Sequence, residues 1–170
     1  MEEPADYQAT LFNILTKFMK ILTLLISTIL LTVSCSDDSE ALSNLSASEE
    51  FLSVNKNGDG VVSPEAGLQY KVIDSGEGMS SPSLETNITA HFHGTLIDGS
   101  VFWSSVDSNQ PLNTKASQLI IGCQKIIPLM KVGDKWKVFI HPSMAYGEQG
   151  RPGIPPNSLL IFDIELLSMQ

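Results

Sequence analysis

A loop rich in glycine and proline, flanked by two alternating apolar stretches, constrains the fold of this chain more than any other feature. Apolar residues recur at every second position within 135–140 and again within 159–167. A period of two predicts β-strands with one buried face, because successive side chains of a strand point to opposite faces. The segment between them contains Pro142, Pro152, Pro155 and Pro156. The pattern therefore predicts an elaborate loop held over a sheet, which is a common location for binding residues.

The preceding residues repeat the strand pattern and add one helical segment. Alternation over 68–72 and 87–96 predicts two more strands, and Asp98 with Gly99 predicts a hairpin turn into a strand over 101–103. Between 119 and 130 the apolar residues follow a helical spacing, but Pro128 limits the helix to a short one. We therefore expect an α+β domain over 65–170, with about five antiparallel strands and one short helix.

The amino-terminal region has the pattern of a lipoprotein signal peptide over 19–34. The apolar run over 21–33 follows Lys20 and is shorter than the roughly 20 residues of a membrane-spanning helix. Cys35 follows a small residue, as in the lipobox of bacterial lipoproteins, so we expect Cys35 to carry the lipid. The alternative is an uncleaved anchor helix over 11–33, which would place two lysines in the membrane at about 2.5–3.5 kcal/mol each.

The segments on either side of this signal are acidic. Residues 1–18 begin with Glu2, Glu3 and Asp6, which is the wrong charge for the start of a signal peptide. We interpret 1–18 as a non-native extension and expect translation to begin at Met19. Residues 35–64 are rich in serine and acidic residues and predict a solvated acidic tether. A lipid-anchored chain of this kind is expected in the bacterial cell envelope, at the outer membrane, on its periplasmic or surface side.

Charge and motif spacing argue against several classes of function. The net charge of −9 is unsuited to nucleic-acid binding, and no glycine-rich phosphate loop is present. Residues 55–60 resemble the start of a calcium loop, but Ala66 stands where the bidentate Glu is needed, which favours a plain turn. His91 and His93 share a strand face and could supply two zinc ligands, with no clear third ligand nearby. We expect neither a metal nor a cofactor, and we interpret Cys123 as a small buried residue.

Five sequence blocks in order resemble the FKBP-type peptidyl-prolyl cis-trans isomerases. The blocks are GLQYKVIDSGEG, HFHGTLIDGSVF, PLMKVGDKWKVFI, AYGEQG and IPPNSLLIFDIELL, and the similarity covers residues 64–167. The resemblance implies an FKBP-like twisted antiparallel sheet wrapped around the short helix, with an aromatic-lined pocket for a prolyl ring between them. Isomerisation of an Xaa–Pro amide breaks no bond, so the reaction needs no nucleophile, metal or cofactor.

The resemblance also implies which residues form the pocket. Tyr146, Phe102 and Phe162 match the family's catalytic positions, with the Tyr146 hydroxyl donating to the substrate carbonyl. The substrate-binding positions are matched by seven residues: Phe92, Trp103, Leu112, Leu119, Ile120, Cys123 and Ile154. Two of these depart from the family pattern. Trp103 stands where the family has Asp, and Cys123 stands where it has the Trp of the pocket floor.

The expected function is a lipid-anchored peptidyl-prolyl cis-trans isomerase that assists the folding of exported proteins. Its expected partners are proline-containing polypeptides, the membrane through the lipid at Cys35, and macrolide-type ligands, but no nucleic acid. The departures at Trp103 and Cys123 leave an alternative open, in which the pocket belongs to a non-catalytic FKBP-like module for peptide binding or chaperoning. A structural lipoprotein without any ligand is a third interpretation.

Overall fold

Seven strands form one antiparallel sheet in the computed structural model, which describes residues 16–17, 19–20 and 34–170. In chain order they are β1 (Val61–Glu65), β2 (Leu68–Asp74), β3 (Asn87–Thr95), β4 (Val101–Ser104), β5 (Leu112–Lys115), β6 (Lys135–Ile140) and β7 (Leu160–Met169). Their order across the sheet is β1-β2-β6-β7-β3-β4, and β5 also pairs with β3. The predicted α+β class is confirmed.

The sheet has two more strands than the sequence predicted. β1 is an edge strand that contains Pro64, and β5 has only four residues, none of them fully buried. Neither stretch shows the apolar alternation of a half-buried strand, because neither contributes a continuous face to the core. Neither β1 nor β5 could therefore be predicted from apolar alternation in the sequence.

The segment predicted as a solvated tether over 35–64 forms a helix along most of its length. Helix α1 spans Ser34–Asn55, and its residues Ser48 and Leu52 are buried. Leu52 packs in a small apolar cluster with Phe139 and Leu159. The prediction of a solvated tether is thus wrong for this part. Residues four apart share one helix face, so a narrow stripe can pack against the domain while the serine and acidic residues elsewhere over 38–55 are mostly exposed.

The short helix lies against the sheet, as expected. Helix α2 spans Ile121–Ile126 and passes into a 3-10 turn over Ile127–Leu129, where Pro128 stops the α-helical hydrogen bonding. Gly122 allows the helix to approach β6, because a Cβ at this position would collide with the Ile140 side chain. This close approach sets the depth of the space between α2 and the sheet.

Two predicted turns are confirmed. Asp98 and Gly99 close the hairpin between β3 and β4, with Gly99 at a φ of 84°. The Asp98 carboxylate accepts from the Ser100 hydroxyl (2.6 Å) and the Ser100 N–H (2.9 Å), and these bonds lower its pKa. Residues 55–60 form the turn between α1 and β1, with Gly58 N–H donating to Asn55 O at 2.8 Å.

The amino-terminal predictions fall almost wholly outside the described residues. They comprise the extension over 1–18, the signal peptide over 19–34 and the alternative anchor helix over 11–33. Cys35 lies in the first turn of α1. Within the described part of the chain, none of the helices combines the length and apolar character required to cross a bilayer. The chain divides into two compact units at residues 40 and 41, and the site described next lies entirely in the second.

Candidate functional site

A cavity of about 260 Å³ opens beside α2 and is walled by β3, β4, β7 and the loop between β6 and β7. All ten residues that the sequence assigned to the pocket line this cavity: Phe92, Phe102, Trp103, Leu112, Leu119, Ile120, Cys123, Tyr146, Ile154 and Phe162. Three further residues that were not predicted from the sequence also line the cavity: Gln118, Arg151 and Pro152. Residues from six separate chain segments thus converge on one apolar space.

Three phenylalanine rings form an interlocked wall of the cavity. The Phe102 and Phe162 ring centroids lie 5.4 Å apart at 90°, and those of Phe92 and Phe162 lie 6.1 Å apart at 85°. Both pairs have the edge-to-face geometry that aromatic quadrupoles favour. Gly94 makes room for them, because a Cβ there would collide with the Phe102 ring and lie 2.9 Å from Phe162 Cε1. The three rings are therefore closely packed against one another and against the backbone at Gly94.

A β-bulge brings Trp103 into the same cavity as its neighbour Phe102. Gly94 pairs with Trp103 while Thr95 pairs with Val101, which leaves Phe102 without an opposite residue on β3. Such a bulge interrupts the alternation of the strand and redirects side chains. Trp103 is 42% exposed and its ring centroid lies 6.2 Å from that of Phe92. The indole thus stands at the rim of the cavity.

Cys123 contributes an uncharged thiol to the cavity lining. It lies on α2 and is 2% exposed. Burial raises the pKa of the Cys123 thiol to about 12, because a thiolate would be poorly solvated there. The group therefore remains a neutral, small and apolar lining residue at physiological pH.

Tyr146 presents its hydroxyl at the cavity with its oxygen already engaged. Arg151 Nη1 donates to Tyr146 Oη at 2.9 Å, and the guanidinium carbon lies 5.0 Å from the centroid of the Tyr146 ring. Because the oxygen accepts from Arg151, the phenolic proton is directed away from the guanidinium and is free to be donated elsewhere. The arrangement supplies one oriented hydroxyl donor beside the aromatic wall of the cavity.

A tight turn at the loop tip positions both Arg151 and Ile154. Arg151 N–H donates to Ile154 O at 2.9 Å, and Ile154 N–H donates to Arg151 O at 2.7 Å. The central residues are Pro152 and Gly153, and Gly153 has a φ of 84°, as in a type II turn. Ile154 is buried in the cavity wall, whereas Arg151 remains exposed at its edge. The place of Arg151 in this loop could have suggested that it lies near the pocket, but its contact with Tyr146 could not be predicted from the sequence.

Helix α1 forms hydrogen bonds with backbone groups of residues 156–159, at the end of the same loop. The fully buried Ser48 hydroxyl accepts from Leu159 N–H at 3.0 Å and lies 3.0 Å from the Asn157 carbonyl oxygen. Asn44 Nδ2 donates to the Pro156 carbonyl at 2.9 Å. The part of the chain predicted to be a tether therefore fixes backbone groups of the loop that carries Tyr146 and Ile154.

The two histidines considered as zinc ligands are held by serine hydroxyls on the other side of β3. His91 Nδ1 lies 3.0 Å from Ser105 Oγ, and His93 Nδ1 lies 3.0 Å from Ser104 Oγ. The described ranges, 16–17, 19–20 and 34–170, contain no group of three or more His, Cys, Asp or Glu residues placed to hold a metal ion. The hydrogen bonds give both imidazoles a structural role at the β3–β4 pairing.

Comparison with protein families places this chain in a known group. A family model described as FKBP-type peptidyl-prolyl cis-trans isomerase matches residues 78–167. A second model, described as the domain amino terminal to FKBP-type peptidyl-prolyl isomerase, matches residues 25–72. The crystal structure of FkpA from Escherichia coli superposes with a TM-score of 0.81 at 27% identity, covering 100% of this chain and 84% of that one.

Two bacterial relatives illustrate the sequence similarity. The FKBP-type peptidyl-prolyl cis-trans isomerase FkpA of Aeromonas hydrophila is 41% identical over 133 residues, which cover 78% of this chain and 49% of the relative. The outer membrane protein MIP of Legionella longbeachae is 40% identical over 132 residues, which cover 77% of this chain and 56% of the relative. The chain thus spans about half the length of these relatives. It belongs to the FKBP-type peptidyl-prolyl cis-trans isomerase family.

Proposed function

We propose that the protein catalyses cis–trans isomerisation of Xaa–Pro bonds in polypeptides. The observation that carries this proposal is the convergence of Phe92, Phe102, Phe162 and Tyr146 around one cavity of about 260 Å³. An aromatic-lined space with a single oriented hydroxyl suits a prolyl ring and its amide carbonyl. The family membership points to the same reaction.

The reaction requires only that the amide lose its resonance. The barrier to rotation is about 18–20 kcal/mol, and uncatalysed exchange takes tens to hundreds of seconds. The planar amide is more charge-separated than the twisted one, so a dry apolar cavity favours the twisted form. A fixed donor at the carbonyl oxygen holds that oxygen in place while the rest of the amide rotates about its C–N bond.

Each of the ten lining residues that the sequence assigned to the pocket has a proposed role in that scheme. Tyr146 donates its hydroxyl proton to the substrate carbonyl, and Phe102 and Phe162 hold the prolyl ring through their edge-to-face pair. The remaining contacts exclude water around the ring. They come from Phe92, Trp103, Leu112, Leu119, Ile120, Cys123 and Ile154. Macrolide-type ligands would occupy the same apolar cavity and compete with the peptide.

A protease-coupled assay on an Xaa-Pro-Phe peptide tests the activity with the full-length protein. We expect an acceleration proportional to protein concentration, and about a tenfold loss in kcat/KM for Tyr146→Phe, because one hydrogen bond to the carbonyl is removed. Phe162→Ala should lower the rate further by opening the wall. Absence of acceleration even at high protein concentration would refute the proposal.

The cellular setting is also proposed. The signal-peptide pattern over 19–34 would direct export of the protein, and a lipid on Cys35 would hold it in the cell envelope, where it would act on exported proteins. The name of the outer membrane relative supports an envelope location. Cys35→Ala should release the protein from the membrane fraction. Its persistence there would contradict the lipid anchor.

A non-catalytic binding module is the second candidate, and the lining residues Trp103 and Cys123 favour it. Trp103 brings a bulky indole to the rim, and Cys123 places a small side chain where the family has a large one. The isomerisation rates of the single variant Trp103→Asp and of the double variant with Cys123→Trp distinguish the two functions. A rate gain of more than about tenfold in either variant would mean that the natural pocket is a binder with little turnover, whereas unchanged or lower rates favour the isomerase.

A further inference from the structure

Arg151 is the one charged side chain among the described residues that line the cavity. The remaining lining is apolar or aromatic, apart from the Gln118 amide and the Tyr146 hydroxyl. Arg151 is also the single arginine of the sequence. A ligand in this cavity therefore meets one positive charge and no negative charge from the described lining.

Contacts of both the backbone and the guanidinium restrain the position of this charge. The backbone of Arg151 is held by the two hydrogen bonds to Ile154 across the loop-tip turn. The guanidinium is held by its hydrogen bond to Tyr146 Oη at 2.9 Å and by the Tyr146 ring below it. A side chain restrained in this way loses less rotamer entropy when it binds a partner than a free surface cation does.

Most of the donors of this guanidinium are available to a ligand. The group has five N–H donors, and the hydrogen bond to Tyr146 uses one of them. The ion pairs of the described residues involve lysines instead: Lys115, Lys125, Lys135 and Lys137. No carboxylate in that part of the chain forms an ion pair with Arg151.

The charge lies beside the point where the substrate amide is held. Under the proposed function Tyr146 donates to the substrate carbonyl, and Arg151 is bonded to that same hydroxyl oxygen. Side chains next to the proline therefore come within reach of the guanidinium, whose planar fork matches a carboxylate. We infer that Arg151 makes the site selective for proline segments that carry an acidic residue directly beside the proline, an inference that rests on the proposed function.

The expected selectivity is moderate. Arg151 is exposed, so its pairing with a carboxylate is screened, and a preference of about two- to five-fold is expected from an ion pair of this kind. The net charge of −9 acts against acidic peptides, but at physiological ionic strength charges beyond about 8 Å are largely screened. Comparison of an acidic peptide with its amide counterpart isolates the local effect.

Matched peptides and variants of the full-length protein test this inference. Glu-Pro is compared with Gln-Pro, and Pro-Glu with Pro-Gln, in peptides otherwise identical. Isomerisation is followed by magnetisation exchange, and binding is followed by the fluorescence of Trp103, which lines the cavity while Trp136 lies buried in the core. The variants are Arg151→Met, Arg151→Lys, and the control Lys56→Met, which removes an exposed cation away from the cavity.

We expect a Glu/Gln ratio of about two to five, in kcat/KM and in affinity, for at least one of the two peptide positions in the natural protein. The ratio should fall to about one or below in Arg151→Met and persist in Lys56→Met, with partial rescue in Arg151→Lys. A ratio that is no higher in the natural protein than in Arg151→Met overturns the inference while leaving isomerase activity intact. A Glu preference in binding without turnover supports the inference and contradicts the isomerase function. If no peptide is bound or isomerised, both fail.

Discussion

Phe102 and Trp103 are consecutive residues of β4, yet both line the same cavity. In a regular strand their side chains would point to opposite faces of the sheet. The bulge opposite Gly94 and Thr95 removes that constraint by leaving Phe102 unpaired. The wall of the candidate prolyl pocket thus depends on a local irregularity in strand pairing as well as on the identity of its aromatic residues.

Gly94→Ala should damage this wall. A Cβ at Gly94 collides with the Phe102 ring and approaches Phe162, so one or both rings must move. We expect a loss of about 1–3 kcal/mol in the free energy of unfolding, as for other overpacked sites, together with reduced binding of a proline peptide. Urea unfolding and peptide titration measure the two effects. Gly99→Ala is the control, because it strains a positive φ but has nothing within 4 Å of the added Cβ; equal loss of peptide binding in both variants would contradict this account.

Ser48→Ala should show that α1 supports the loop. The variant removes the hydroxyl that accepts from Leu159 N–H, and leaves that buried donor without its partner. Loss of such a bond costs about 1–3 kcal/mol, which should appear as a lower urea midpoint. Ser53→Ala changes an exposed serine of the same helix, whose hydroxyl bonds only within α1, and should be nearly neutral. Equal midpoints for the two variants would mean that the contact seen at Ser48 is energetically unimportant.

Many of the residues that line the cavity could be predicted from the sequence, because most of them lie in or near sequence blocks that resemble the FKBP-type isomerases and occur in the same order. All ten assigned residues converge on one cavity. The contributions of α1 and Arg151 could not be predicted in this way. Over residues 38–55, α1 buries only a narrow stripe that includes Ser48 and Leu52, and most of its exposed residues there are serine or acidic. The bond between Arg151 and Tyr146 depends on side-chain geometry that no local pattern encodes.

Cys123 should make the protein less stable in alkaline solution. Burial raises the thiol pKa from 9.0 to about 12 in the folded state, so between these values the unfolded chain releases a proton that the folded chain retains. Stability therefore decreases as pH rises through 9, by about 1.4 kcal/mol at pH 10 relative to pH 7. Urea unfolding at pH 7 and pH 10 measures this effect. The free energy of unfolding should decrease between the two pH values by about 1.4 kcal/mol more in the natural protein than in Cys123→Ala. Identical decreases would indicate that the thiol is not shielded from solvent.

The isomerisation rate of a proline peptide, measured without a coupling protease, tests the central claim most directly. Magnetisation exchange between the cis and trans resonances of an Xaa–Pro peptide reads the rate at equilibrium, and without catalysis exchange takes tens to hundreds of seconds. We predict that catalytic amounts of the full-length protein bring exchange into the range of seconds or faster, and that Tyr146→Phe reduces the gain about tenfold. Exchange that stays at the uncatalysed rate, while the same peptide demonstrably occupies the cavity, would contradict the account and leave a binding module in its place.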